Sequence, residues 1–235
     1  MTAQEVLAEL ESYDNPNGKK VLMRHGAREP FWGVRIGDMK KIVKKIKTDH
    51  HLALELYETG NTDAMYLAGL IADEQAVTKQ ELRRWVKQAY WYLLSEGTVA
   101  ALAAESPHGW ELGIEWIESK DEMIQTAGWA TLGGVVSFAP NDRLDLTAIE
   151  ALLERVETDI ETSLNRVRYS MNNFVICVGS YIPDLTKRAK EVAKNIGKIT
   201  VDMGETSCKV PYAFDYIDKS IAHGSHEKKK TYVRC

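Results

Sequence analysis

The chain has 235 residues, a net charge of −4 and 27% charged residues, with 44% hydrophobic residues to supply a core. No apolar run approaches the roughly 18 residues that a membrane span requires, and the opening Met1-Thr2-Ala3-Gln4-Glu5 lacks the basic-then-apolar pattern of a secretory leader. Three cysteines, Cys177, Cys208 and Cys235, lie far apart without CxxC spacing, which argues against a disulfide framework or a structural zinc site and makes the cytoplasm the expected compartment.

Helical periodicity dominates in chain order. Met39, Ile42, Val43 and Ile46 fall at i, i+3, i+4 and i+7, one face of a helix over 38–47. Two more helices are expected at 52–57 and 65–71, divided by Gly60-Asn61. Others follow at 78–94, 98–105, 109–118 and 121–138, with Pro107-His108-Gly109 and Pro140-Asn141 as breaks. Thr147 opens another, carrying Ile149, Leu152, Leu153 and Val156. A long helix over 163–181 stops before Pro183, and 184–196 succeeds it. Ile199–Met203, then Gly204-Glu205, then Thr206–Val210 reads as a small β-hairpin at about 198–210, with an irregular loop as the other reading. A last helix follows Pro211.

About a dozen short helices joined by short links suit an all-α stack of helix pairs, an α-solenoid, better than a four-helix bundle. The internal repeat is weak, so a non-repetitive helical domain remains the second reading. Either way, residues 1–235 read as a single domain.

Charge is segregated. Residues 19–47 hold ten basic and two acidic side chains, 163–198 hold seven and two, and 141–162 hold seven acidic against two basic. One basic and one acidic face follow, so the net charge is a poor guide to partners. Lys40, Lys44 and Lys47 form one helical row with Lys41 and Lys45 beside it. Like charges at this spacing repel by a few tenths of a kcal/mol per pair, which a row of phosphates would relieve. Arg24, Arg28 and Arg35 upstream add bidentate phosphate donors. Arg166, Arg168, Lys187, Arg188, Lys190 and Lys194 form a second set. The plain alternative for both is solvated surface charge.

Seven aromatics, Trp85, Tyr90, Trp91, Tyr92, Trp110, Trp116 and Trp129, crowd into one stretch; core packing is the main expectation, a stacking cleft the second. The six histidines include no HExxH, and His223-Gly-Ser-His226 sits in a charged stretch expected to be a solvated tail. No GxGxxG or P-loop is present, so no nucleotide cofactor and no metal are expected. Cys177, flanked by Val175, Ile176 and Val178, reads as a buried inert thiol, and Gly133-Gly134 as a point of close helix packing.

Residues Phe31-Trp32-Gly33-Val34-Arg35-Ile36-Gly37-Asp38-Met39-Lys40-Lys41-Ile42 resemble the opening segment of the AlkD-like DNA alkylation-repair proteins. Leu54–Tyr57 with Leu67–Asp73 is similar to their next repeat, and 106–130 to the one after. The resemblance implies a HEAT-like α-α superhelix of the armadillo type, whose basic concave face holds duplex DNA. It also implies excision of cationic alkylated bases without a metal or a deep base pocket. The family's catalytic tryptophan and aspartate fall on Tyr92 and Glu96, its arginine on Thr126 and its second tryptophan near Asn173. All four depart from the pattern. Glu96 keeps the charge on a longer arm, and Tyr92 keeps an aromatic face weaker than tryptophan for a cation. The resemblance is therefore nearest to the non-excising AlkF/AlkG-type branch, which favours branched or distorted DNA. With that face expected, the basic sets above place Arg24, Arg28, Arg35, Lys40, Lys44, Lys47, Arg166, Arg168, Lys187 and Arg188 on the DNA surface, and the resemblance places Glu96 and Tyr92 in a glycosylase-like site of degraded pattern. An active alkylpurine DNA glycosylase and a protein–protein scaffold are the competing readings.

Overall fold

The computed structural model describes residues 1–226 and 228–234 and is all-helical among them. The chain begins with α1 (Ala3–Ser12) and α2 (Pro16–Arg24), two helices that periodicity did not pick out. Then come α3 (Ile36–Ile46), α4 (His50–Glu58), α5 (Thr62–Ile71) and α6 (Lys79–Gln88). Two short helices, α7 (Tyr92–Leu94) and α8 (Ala100–Glu105), are joined by a π-helical stretch, Ser95–Val99. The rest are α9 (Gly109–Trp116), α10 (Glu122–Phe138), α11 (Leu146–Asp159), α12 (Asn165–Tyr181), α13 (Thr186–Ile196) and α14 (Ala213–Ala222).

Most starts are written locally. Thr2 and Thr78 build capping boxes with Glu5 and Glu81, while Asn15, Asp49, Asn61, Asp121 and Asp145 cap the backbone N–H groups of their helices. The expected continuous helix over 78–94 is broken. Trp91 is extended, with φ −140° and ψ 148°, and its indole is buried with Nε1 donating to His25 O. Seating that ring costs the helix its continuity.

The expected hairpin is absent: residues 199–210 contain no strand. The apolar alternation of Ile199, Val201 and Met203 was the misleading signal. The backbone pairs with a side chain instead, Asn165 donating to Asp202 O (2.9 Å) and accepting from Asp202 N (2.7 Å). Asn172 likewise donates to Pro211 O at 3.0 Å.

Two apolar clusters form the core. The first holds α1, α3–α6 and α8 around Trp85 and Tyr57, stacked with centroids 4.0 Å apart. The second gathers α11–α14 around Trp129 and Phe174. Helix α10 joins them, since Ala127 belongs to the first cluster and Leu132 and Val136 to the second. It packs on α8, α9 and α12, and glycine sets the approach. A Cβ at Gly134 would lie 2.6 Å from Ala104 Cβ, and one at Gly113 would lie 2.7 Å from Leu132 Cγ.

The stretch after α14 is docked, contrary to the solvated tail expected. His226 Nε2 meets Thr186 Oγ1 at 2.9 Å. Lys230 N donates to Ser137 O at 2.9 Å, and Lys229 Nζ to Val136 O at 2.6 Å, at the C-terminal end of α10. Arg234 donates to Gly69 O (3.0 Å) and Ala72 O (2.7 Å) at the end of α5, to Glu105 at 2.6 Å and to Glu74 at 2.6 Å. A guanidinium at carbonyl ends opposes the negative pole of the helix dipole. Cys177 is half-buried, with its thiol pushed up by burial; Cys235 lies outside the described residues. No described helix is long and apolar enough to cross a membrane.

Two predictions follow from the packing and the tail. A Cβ at Gly69 would lie 2.4 Å from Thr98 Cγ2 in the π-helical stretch, so Gly69→Ala should lower unfolding free energy by about 1–3 kcal/mol in urea titrations. Burial pushes Lys229 from an ordinary 10.5 down to about 8. Between those values the unfolded chain binds the extra proton, so this group makes stability rise with pH from about 8 towards 10.5. Urea midpoints at pH 7.5 and 10 should show a smaller rise in Lys229→Met than in the unsubstituted chain.

Candidate nucleic-acid interface and its buried carboxylate

Glu96 lies on the π-helical stretch. Thr98 shapes that stretch, its hydroxyl donating to Leu93 O at 3.3 Å, five residues back, a reach that suits a widened turn. The widened turn presents the Glu96 side chain to α12. There the Arg166 guanidinium meets it side-on, Nη2 to Oε2 at 2.9 Å and Nε to Oε1 as the second bond. Both side chains are largely buried, 12% exposed for Arg166 and 15% for Glu96.

The guanidinium also lies over two aromatic rings. Its carbon lies 4.1 Å from the Tyr92 ring centroid and 4.0 Å from that of Tyr169. Each contact is a cation–π pair made stronger by exclusion of water. Around this stack, Arg166 N donates to Glu122 at 2.7 Å and Tyr92 Oη meets His25 Nδ1 at 3.1 Å. Burial pushes the Glu96 carboxyl above its ordinary value, while the bonds and charge of Arg166 oppose the rise. Burial likewise raises Tyr92, against the pull of Arg166.

The stack forms part of a cleft of about 340 Å³ that Arg24, Arg28, Tyr92 and Arg166 line together. Arg24 and Arg28 are exposed and make no ion pair among the described residues, and Arg28 lies over the Tyr90 ring at 5.0 Å. Thus residues from both basic segments meet in one place, but Arg166 is turned inward onto a carboxylate.

The other candidates lie elsewhere. Arg35 lines a separate hollow beside α2. Lys40 and Lys44 border a groove with Tyr232 and Arg234 of the docked C-terminal stretch. Exposed Lys47 follows the end of α3. Arg168 is half-buried, with Nε lacking a hydrogen-bond partner. On α13, Arg188 pairs with Glu157 of the acidic segment at 2.9 Å, while exposed Lys187 borders a groove with Lys190 and Lys194. Thr126 is fully buried with its hydroxyl unbonded, and Asn173 is half-buried. No group of three His, Cys, Asp or Glu among the described residues is arranged to hold a metal ion.

Sequence reasoning missed Tyr169, His25 and Glu122. Tyr169 was findable: it stands three residues after Arg166 on one helix, the spacing at which side chains meet. His25 and Glu122 carry no such signal.

The fold and this cleft define an all-α helical-repeat protein with a carboxylate paired to an arginine that lies over two tyrosine rings. Residues 6–217 match the family described as DNA alkylation repair enzyme, and the chain belongs to that family. It is similar to an uncharacterized protein of Listeria innocua, 34% identical over 226 residues (94% of this chain, 97% of the relative). A counterpart from Listeria monocytogenes is 33% identical over the same share of each chain. A solved structure superposes with a TM-score of 0.92 at 36% identity, covering 100% of both chains. It is described as representing a new family of proteins related to the HEAT-like repeat DNA glycosylases with affinity for branched DNA structures.

Removing one partner of a buried ion pair leaves the other uncompensated. Arg166→Met should therefore lower unfolding free energy by about 3–5 kcal/mol, and the paired change Arg166→Met with Glu96→Gln by clearly less, as denaturant titrations would show.

Proposed function

We propose that this chain binds duplex and branched DNA on its basic surfaces and does not excise bases efficiently. The observation that carries the second half is the Glu96–Arg166 pair. In hydrolysis of an N-glycosidic bond, positive charge develops on the sugar, and a carboxylate close to that carbon stabilises it. Glu96 would need a free oxygen aimed at the sugar. Both of its oxygens accept from one guanidinium instead, which also cancels its charge. Tyr92 offers an aromatic face, but that face is covered by the same guanidinium. The site has the parts of a glycosylase centre, occupied by one of its own side chains.

DNA binding is supported by family membership, by the branched-DNA affinity stated for the superposing protein and by the exposed cations Arg24, Arg28, Arg35, Lys40, Lys44, Lys47 and Lys187. Arg166 and Arg188 play a different part in this reading, holding Glu96 and Glu157 respectively. Arg168, half-buried, contributes at most from the edge. We take residues 1–235 as one HEAT-like domain acting in the cytoplasm, with no metal or nucleotide cofactor.

Binding carried by phosphate contacts weakens as salt rises. Fluorescence anisotropy with a labelled duplex and a four-way junction, from 50 to 250 mM salt, should give a steep log–log slope. Arg24→Ala and Arg28→Ala should each make it shallower by about one. Affinity indifferent to salt would sink the DNA-binding half. Incubation of excess protein with DNA carrying 7-methylguanine should release no base above the protein-free rate; release abolished by Glu96→Gln would overturn the other half.

A further inference from the structure

Beside the cleft lies a second and larger hollow of about 520 Å³, between α2, the start of α3 and the start of α5. We propose that it receives an unstacked nucleobase at the branch point of a DNA junction, an inference that rests on the DNA-binding reading above.

The walls are mainly apolar. Leu22 and Val21 of α2, Ile36 and Met39 of α3, and Leu93 and Trp91 line it. Its size is that of a small-ligand site, ample for a base. Helix α2 is unusual among the longer helices in burying none of its nine residues fully. Two apolar side chains bordering the hollow stay in water, Val21 at 43% and Ile36 at 41% exposure, and Met23 on the same helix is 48% exposed. Apolar surface left open around a concavity marks a place where a partner is received.

The rim says which partner. Arg35 lines the hollow, is exposed and makes no ion pair among the described residues. Lys20, also exposed, precedes Val21 on α2. Trp91 is shared with the neighbouring cleft, where Arg24 and Arg28 stand. A mainly apolar cavity with the Arg35 guanidinium on its wall, Asp63 tied to the Trp32 and Gly33 N–H groups, and Arg24 and Arg28 on the adjoining cleft fits a flat, uncharged ring carried on a phosphate backbone. A lipid chain or an apolar peptide would leave those cations unmatched. Continuous duplex has no base to give, because extraction costs several kcal/mol of stacking and pairing. A branch point has bases already unstacked. The hollow thus supplies selectivity for branched over linear DNA, while the cations supply affinity for both.

The test compares a three-way junction, carrying two unpaired nucleotides at its branch, with a linear duplex of equal length, by anisotropy at fixed salt. Val21 and Ile36 are exposed, so Val21→Ser with Ile36→Ser should fold normally, as circular dichroism checks; Val21→Trp fills the hollow by a second route. Each variant should cut the junction-to-duplex affinity ratio by about tenfold and leave duplex affinity within ~2-fold. In parallel, 2-aminopurine at the unpaired position should change fluorescence on binding the unsubstituted chain and not on binding Val21→Trp. An unchanged ratio in both variants overturns the base-receiving hollow while DNA binding stands. Equal affinity of the unsubstituted chain for junction and duplex does the same. Absence of any DNA binding sinks the functional reading itself.

Discussion

The whole molecule is arranged around how closely α10 can be approached. Helices α8, α9 and α12 pack on it most extensively; towards α8 and the end of α9 the approach is set by glycine, while Trp129 fills the contact with Phe174 of α12. At Gly128 a Cβ would sit 2.6 Å from the Ile117 backbone nitrogen, and at Gly134 the same distance from Ala104 Cβ. Glycine in a helix costs about 0.5–1 kcal/mol relative to alanine. Spending it repeatedly in one helix is tolerable only where backbone contact returns more through dispersion and burial. With α10 bridging the two core clusters, that close approach fixes how the first helices face α12, and so where Glu96 meets Arg166.

That meeting decides the character of the site. A carboxylate buried in a helical stack is costly unless paired, and the pairing here is bidentate, with the guanidinium also lying over two tyrosine rings. The features that make the pair affordable to the fold are those that withdraw Glu96 from chemistry. Basic residues on the same cleft are not bound up in this way, so affinity for a polyanion and the fate of the carboxylate are separable properties of one surface.

Much of this was legible in the sequence, and the reasons for the failures are physical. Helix periodicity and the Gly and Pro breaks located α3 to α6 and α8 to α14 because each of these has an apolar pattern or a local stop. Helix α2 escaped because it is short and its apolar residues, Val21, Leu22 and Met23, are consecutive rather than spaced over several turns. The hairpin failed because alternation of Ile199, Val201 and Met203 speaks only of which side is apolar. It cannot say that Asn165, more than thirty residues earlier, takes the backbone groups a strand partner would use. The family resemblance singled out Glu96 and Tyr92, which the structure brings to one guanidinium, yet grouping Arg166 with other basic residues as a DNA-facing set hid its partner. A side chain seventy residues away in sequence leaves no mark on local spacing.

The docked C-terminal stretch changes the kind of object this is. A stack in which each helix pair touches only its neighbours behaves as a one-dimensional array and can lose its ends independently. Arg234 ties the end of α5 to Glu105, and Lys230 ties the same segment to the end of α10. Contacts between residues about 160 positions apart fold the C-terminal end of the array back onto its middle. The last helices then share a cooperative fate with α5, α8 and α10, and fraying at the C-terminal end carries the cost of breaking contacts with the middle of the stack.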